Sequence, residues 1–400
     1  MSTILSRIQK FNANRIPKMV QLKYKFMQED PFRFLRGTCH LFYEDLIEKI
    51  NWEDETKAWI CGDLHLENFG SYKGDNRVVY FDLNDFDEAI LAPISWELVR
   101  MLTSIQVAAK VLELKQKKAN LICKNFVETY IAQLESGKAL SVERKTAQGL
   151  LKDFLKTVAN RSDKQLVKER TIRMNGKLML HIDNQKFLPL EDKEKKNILK
   201  KVNLWYKTYY GKGEVKIHDA AYRIAGTGSI GVKRYVVLKE FTKTGNLHLI
   251  DIKESLPSSL SPYVKIEQPK WKNEAERIRT VQNRAEYVTP AWLHNMEIDN
   301  VFFIVKELQP LEDKMDLSLC KGNTKKITQI LNSMAILAAS AALRCSGRQG
   351  SSNADELIAF AGNAGSWQSK VLNYAEKYGA QVVEDYNAFK KELKNKEKPH

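Results

Sequence analysis

From Val215 to about Pro310 the chain gives up the three-and-four spacing of apolar residues that runs through most of its length. In its place stand the β-rich runs "YRIAGTGSIGVKRYVVLKE", "LHLIDIKES" and "NVFFIVKEL", interrupted by one helical stretch, "KNEAERIRTVQNRAEY". β-branched and aromatic runs favour strands, and the longer period favours helix. A β-rich block bracketed by helical sequence restricts the chain to an α+β class. Two shorter β-like passages lie outside it. "KAWICGDLHLENFGSYKGDNRVVYFDLND" reads as a hairpin with a Gly-Asp-Asn turn, and "TIRMNGKLMLHID" as one turning on Asn175–Gly176. The expected units are residues 1–214, helical and carrying the first hairpin; 215–310, β-rich; and 311–400, helical. A chain of 400 residues that is 43% hydrophobic can bury a substantial core, and its length fits two or three units. It contains no internal repeat and no low-complexity segment.

The formal charge of +15 points to an anionic partner. The lysines of 152–212 and of the terminal "KKELKNKEKPH" read as a solvated surface and a frayed tail, without the Arg-aromatic interleaving of a single-strand binder, so nucleic acid is not the expected partner. The five cysteines are scattered and never spaced C-x-x-C; they read as buried thiols. No apolar stretch approaches the roughly 20 residues of a membrane span. The N-terminus has no apolar signal core. The expectation is a cytoplasmic protein.

"GTGSIG", Gly226 to Gly231, fits G-x-G-x-x-G, a weak signal alone. The next run, "VKRYVVLKEF", reads as a strand where a dinucleotide-binding fold would have a helix. Strand, glycine loop, strand is the order of a protein-kinase nucleotide flap, in which Gly226, Gly228 and Gly231 would let backbone amides approach phosphates. Lys253, on the next strand, is placed to neutralise those phosphates. The helical stretch beyond offers Glu274 and Glu276 as its ion-pair partner.

"CGDLHLENFG" is the second constellation. Phosphoryl transfer needs a carboxylate to orient the acceptor hydroxyl and a metal clamp on the phosphates. Asp63 would serve as the first and Asn68 as a ligand of Mg²⁺, a metal that prefers hard oxygen donors. A second metal carboxylate belongs at the end of the returning strand: spacing from Asn68 favours Asp82, and the Asp-Phe-x pattern favours Asp85. His65, with no second histidine at ligand spacing, reads as a brace of the loop. Glu67, Asp87 and Glu88 read as solvated turn residues, and Arg33 and Arg36 as partners of Asp45 or another carboxylate.

G-D-x-H-x-x-N followed by a strand ending in Asp resembles the catalytic loop and metal motif of the aminoglycoside phosphotransferase and choline kinase branch of the protein-kinase-like superfamily. More closely, "RFLRG", "CGDLHLENFG", "FDLNDFDEA", "GTGSIGVKRYVVL" and "DIKES" together resemble the bacterial family known as domain of unknown function twenty-two fifty-two, from about Arg15 to Arg348. The resemblance implies a two-lobed kinase-like fold that binds ATP and Mg²⁺, with Asp63 as catalytic base and Asn68 and Asp82 or Asp85 on the metal. Gly226, Gly228, Gly231 and Lys253 would hold the phosphates, and the backbone at Glu307 to Gln309 would meet adenine. Asp63 precedes Gly226 by more than 160 residues, the reverse of the kinase order, so the implied fold is circularly permuted.

Two departures stand out: Cys61 where these kinases carry histidine, and Lys233 where the glycine loop is followed by valine. The implied activity is phosphoryl transfer to an unidentified hydroxyl, on a small molecule rather than a protein. AMP transfer and a nucleotide-binding pseudokinase are the alternatives. The helices from Ile94 to Trp205 and the hairpin at 171–183 are where acceptor specificity is expected.

Overall fold

The computed structural model describes residues 3–308 and 313–396, so that Gln309 and Pro310, the expected end of the β-rich unit, lie outside the described residues. Four helices open the chain: α1 (Ile4–Phe11), α2 (Pro17–Met27), α3 (Pro31–Gly37) and α4 (Cys39–Lys49). Thr3 and Asp30 cap α1 and α3 through their side chains, and Pro17 and Pro31 stand in the first turns of α2 and α3.

Four short strands come next: β1 (Lys57–Ile60), β2 (Phe69–Lys73), β3 (Val79–Leu83) and β4 (Ile90–Pro93). They nest. β2 and β3 form the expected hairpin, and β1 pairs antiparallel with β4 outside it. The two connections between outer and inner pairs, residues 61–68 and 84–89, are therefore forced side by side.

The chain continues through α5 (Ile94–Ala108), α6 (Gln116–Glu135), β5 (Val142–Glu143), α7 (Gly149–Ala159), α8 (Asp163–Arg170), the hairpin β6 (Thr171–Met174) and β7 (Lys177–Leu180), β8 (Phe187–Leu188) and α9 (Asp192–Tyr210). The hairpin turns on Asn175 and Gly176, both at positive φ. The main sheet is built from β9 (Val215–Arg223), β10 (Arg234–Phe241), β11 (Asn246–Glu254), β12 (His294–Ile298) and β13 (Val301–Leu308), with α10 (Glu274–Ala285) between β11 and β12. β14 (Asp313–Lys314) then joins β2. A 3₁₀ turn (Leu317–Cys320) leads into α11 (Thr324–Cys345), α12 (Ala354–Gly362) and α13 (Ala364–Lys396).

The main sheet is antiparallel, in the order β12-β13-β11-β10-β9-β8. Side chains alternate between its faces. One face places Tyr235, Val237, Ile250, Ile252, Phe303 and Val305 against Ile198, Val202 and Tyr206 of α9. The other places Ala221, Val236, Leu238 and Leu249 against Val167, Leu180 and Phe187. Residues 163–210, which the sequence assigns to the helical unit, thus wrap the sheet, and the boundary expected at 214 runs through one packed body. A sheet with two apolar faces has to be covered on both, and this segment supplies cover on each, with α10 packing on β12 and β13 besides.

The helical core gathers α5, α6, α11 and α13 in one cluster with the nested strands. All five cysteines are free and buried. α11 is long and apolar enough by composition to cross a membrane, contrary to the expectation from sequence; 67% of its most apolar window is buried inside the protein.

On the α9 face lies a fully buried lysine. Lys239 Nζ has no hydrogen-bond partner among the described residues. It sits 3.5 Å from the ring centre of Trp292, 4.3 Å from Phe241 and 4.6 Å from Tyr206. Ring faces attract the cation, but burial dominates and lowers its pKa to about 7 from 10.5, against the opposing pull of Glu307. Between these values the unfolded chain binds more protons than the folded one, so stability rises with pH through that window. Lys239→Met should be more stable than the wild type at pH 7 and should lose the rise between pH 7 and 10. Urea midpoints of both proteins across that range are the check.

Candidate functional site

The nested strands bring the two acidic loops together, and the side chains lock them. Asn84 N–H donates to the Asn68 carbonyl at 3.0 Å. Asn68 Nδ2 donates to the carbonyls of Asp63 (3.0 Å) and Asp85 (3.2 Å). These two bonds fix which end of the amide is nitrogen, and they leave Oδ1 as a buried acceptor with no partner among the described residues. Gly62 permits the close approach: at φ +83°, a Cβ there would lie 2.3 Å from the Glu88 carbonyl oxygen.

Asp63 is held from α5. Arg100, completely buried, donates from Nε (2.8 Å) and Nη2 (2.5 Å) to Oδ1, and from Nη2 to the Leu35 carbonyl (3.1 Å). Burial would lower the guanidinium pKa, but the Asp63 charge outweighs it and the net shift is upward. One turn earlier, Glu97 accepts the Cys61 N–H at 2.6 Å. The brace that the family resemblance loses at Cys61 is thereby supplied from α5. His65 is buried and its pKa is lowered by burial; Nδ1 accepts the Glu67 N–H at 3.1 Å, and Nε2 faces Asp63 Oδ2 at 4.0 Å. As expected, it braces the loop.

The two candidate metal carboxylates separate. Asp85 opens onto the cleft beside Asn68, with its side chain 54% exposed. Asp82 is buried on the far side, where it accepts from Leu83 N–H (2.9 Å) and from Arg344 of α11 (3.0 Å). It does not line the cleft. Asp85, the half-exposed donor, and the unpaired Asn68 Oδ1 make an oxygen pair of the kind a magnesium ion takes.

From the sheet, Lys253 Nζ reaches Asp85 Oδ2 at 3.4 Å and contacts Asp87. The Glu274 and Glu276 partnership does not form. Glu274 pairs with Arg277 (2.6 Å) and Glu276 accepts the Lys272 N–H (2.7 Å). It is Ile278 and Gln282 of α10 that border the cleft, and Arg277 anchors the helix to the carbonyls of Asp87 and Ala89. Asp87 and Glu88 do not face open solvent either: Glu88 Oε2 accepts the Ser259 N–H at 2.5 Å. Glu307 also departs. Its side chain lies on the α9 face with His248 (3.1 Å) and Arg77 (3.2 Å), and its N–H donates to the Ala291 carbonyl, so neither is turned to the cleft. Gln309 lies outside the described residues.

The glycine loop divides the cleft in two. Gly228 lies so close to the acidic loop that a Cβ would sit 3.0 Å from the Arg36 carbonyl and 3.8 Å from Asp63 Oδ2. It is pinned there by Arg15, which donates to the carbonyls of Gly228 (2.6 Å) and Ile230 (2.9 Å), and by Lys23, which donates to Gly228 at 3.1 Å. The first chamber, about 190 Å³, holds Asn68, Asp85, Lys253 and Gly226. The second, about 290 Å³, is bordered by Phe11, Arg15, Lys23, Gly228, Gly231 and Leu256. Asp63 borders both. The roof of the first chamber is polar: Asp251 accepts from Arg234 (2.9 and 2.6 Å) and Arg223 (2.8 Å), and Lys306 lies alongside. Arg36 pairs with Glu67, which also accepts from Lys314, whereas Arg33 pairs with Glu29 and Asp30.

Sequence reasoning missed Arg100, Arg15 and Lys23. Arg100 left one trace, a cation in the otherwise apolar run "WELVRMLTSI". Arg15 and Lys23 left none, because surface lysines and arginines are common.

A family model described as "Uncharacterized protein conserved in bacteria (DUF2252)" matches residues 15–392. No curated protein and no solved structure matches the chain.

Removing one member of a buried ion pair leaves the other uncompensated, at a cost of about 3–5 kcal/mol. Arg100→Met should lower unfolding stability by that order, whereas Arg33→Met, which removes an exposed pair, should change it by about 0.5 kcal/mol or less. Chemical denaturation of both variants measures the difference.

Proposed function

The chain belongs to this uncharacterised bacterial family, and from its cleft we propose that it is an ATP- and Mg²⁺-dependent phosphotransferase with a circularly permuted kinase-like fold. One observation carries the reading: Asp63, the unpaired Asn68 Oδ1, Asp85, Lys253 and the glycine loop, drawn from distant parts of the sequence, border one cleft. Permutation is supported by the end of α11. Trp59 Nε1 of β1 donates to the Arg348 carbonyl (2.8 Å), and Ser352 N–H donates to the Lys57 carbonyl (2.8 Å). The helix that leads into the catalytic loop in the unpermuted order thus ends against β1.

In this reading Asn68 and Asp85 hold the magnesium, which when bound would neutralise charge on the phosphates. Lys253 binds the phosphates. Asp63, with Oδ1 taken by Arg100, presents Oδ2 to the acceptor hydroxyl and receives its proton as the acceptor oxygen bonds to the γ-phosphorus. The bond from that phosphorus to the bridging oxygen breaks and ADP leaves. The second chamber, roofed by the protein's own first helices, suits a small-molecule acceptor and leaves little room for a protein loop.

A second reading, AMP transfer, is favoured by the Arg223–Asp251–Arg234 cluster. Arginines at that depth suit the β- and γ-phosphates of a reversed nucleotide better than they suit adenine. Product labelled from α- rather than γ-labelled ATP would establish it.

Asp63→Asn should slow release of phosphate from MgATP to water, taken as the stand-in acceptor, by about 10²–10⁴-fold while MgATP still binds. Lys253→Met should weaken MgATP by roughly tenfold or more in titration calorimetry. Absence of metal-dependent ATP binding to the wild type would remove the reading.

A further inference from the structure

Resting on the nucleotide reading above, we infer that the heterocyclic base of MgATP is held outside the first chamber, in a groove formed by the α8 segment and the edge of the sheet. Under the sheet the first chamber presents Arg223, Arg234, Asp251, Lys253 and Lys306, with Ile304 as its apolar member and Phe86 and Ile278 also lining it, a mostly charged surface that matches phosphates better than an uncharged ring. The apolar part of this same sheet face is already covered by Val167, Leu180 and Phe187. A base therefore finds a mostly charged surface on one part of the face and a covered one on the other.

At the border between the two lies a groove of about 850 Å³, continuous with the first chamber through Arg223, Ala225 and Asp313. Its apolar flanks are Leu166 of α8, Phe187, Ile224 and Leu308; its charged members include Arg161 and Arg170, which are paired with Asp313 and Asp183, and Glu169 and Lys186. Three of these, Leu166, Ile224 and Leu308, are only partly buried, as expected of side chains that still have a surface to cover. Gln165 adds an amide at the rim, suited to the polar edge of a base. The backbone there is held rigid: Ile224 N–H donates to the Lys186 carbonyl at 2.8 Å, and Asp183 Oδ1 accepts from the N–H groups of Gln185, Lys186 and Phe187. A nucleotide with its base in this groove passes its ribose by Ala225 and Arg223 and reaches Lys253, Asp85 and Asn68 with its phosphates, leaving the γ end beside Asp63. Part of the stretch expected from sequence to choose the acceptor, the helices from Ile94 to Trp205 with the hairpin at 171–183, would instead select the donor.

The test compares two probes by titration calorimetry, MgATP and magnesium tripolyphosphate, which has the phosphates and no nucleoside. Leu166→Asp should weaken MgATP by roughly tenfold or more and leave tripolyphosphate unchanged. Ile224→Ser serves as an independent variant should the first be unstable, with thermal unfolding as the control. If both variants bind MgATP as tightly as the wild type while Lys253→Met does not, the base lies elsewhere and the inference falls, with the nucleotide site intact. If the wild type binds neither probe, the phosphotransferase reading falls with it.

Discussion

The buried pair between Arg100 and Asp63 fixes the geometry on which everything else at the site depends. A fully buried guanidinium is tolerable only with its charge matched, and here Asp63 Oδ1 matches it and, with the Leu35 carbonyl, takes Nε and Nη2, while Nη1 has no hydrogen-bond partner among the described residues. The cost of burying the charge becomes a constraint on position: Asp63 cannot swing away without stranding Arg100. With one carboxylate oxygen committed, the other has a single orientation, toward the glycine loop and His65. Glu97, one turn from Arg100 on the same helix, holds the backbone at Cys61. The loop thus leans on α5.

The same logic of paired charge governs the sheet. Asp251 between Arg223 and Arg234 is held far below the usual carboxylate range by the two arginines, although burial alone would push it up. The trio is nearly self-satisfied and carries a net positive charge into a cleft that also receives Lys253 and Lys306. One end of this sheet face is thus charged, with a positive excess from its arginines and lysines, while the other is apolar and covered by α8 and β7. That division arises from alternation along β9 and β11, where Ala221 and Leu249 point the same way as Arg223 and Asp251.

The legible parts of this structure were those written in local pattern. The β2–β3 hairpin, the Asn175–Gly176 turn, the α+β class and the adjacency of Asn68 to the acidic loop all derive from period, turn chemistry and short spacing. What pattern did not carry was long-range choice. Asp82 and Asp85 are equally acidic in sequence, and only Arg344, 262 residues away, claims one and leaves the other for the cleft. Glu274 and Glu276 looked like partners for Lys253 because a helix comes after a strand, but each finds a nearer partner within a few residues. Residues 163–210 read as helical, which is correct of α8 and α9, yet period says nothing about which body a helix covers.

The first two helices extend that long-range choice to the mouth of the cleft. Lys23 is completely buried, its ammonium donating to the Gly228 carbonyl and lying over the ring of Phe11, and burial holds its pKa well below the usual lysine range. Nothing in the packing of α2 alone requires a cation there, since an apolar side chain of similar length would fill the space at lower electrostatic cost. What a cation adds is a donor aimed at the glycine loop. Arg15 repeats the arrangement with two carbonyls, and the Ile16 N–H adds a third contact at Gly231 (2.9 Å). With its carbonyls drawn to one side, the loop is held against Asp63 without using its own amides. A flexible glycine segment is thereby given one position by the N-terminal helices, which border the second chamber beside Asp63.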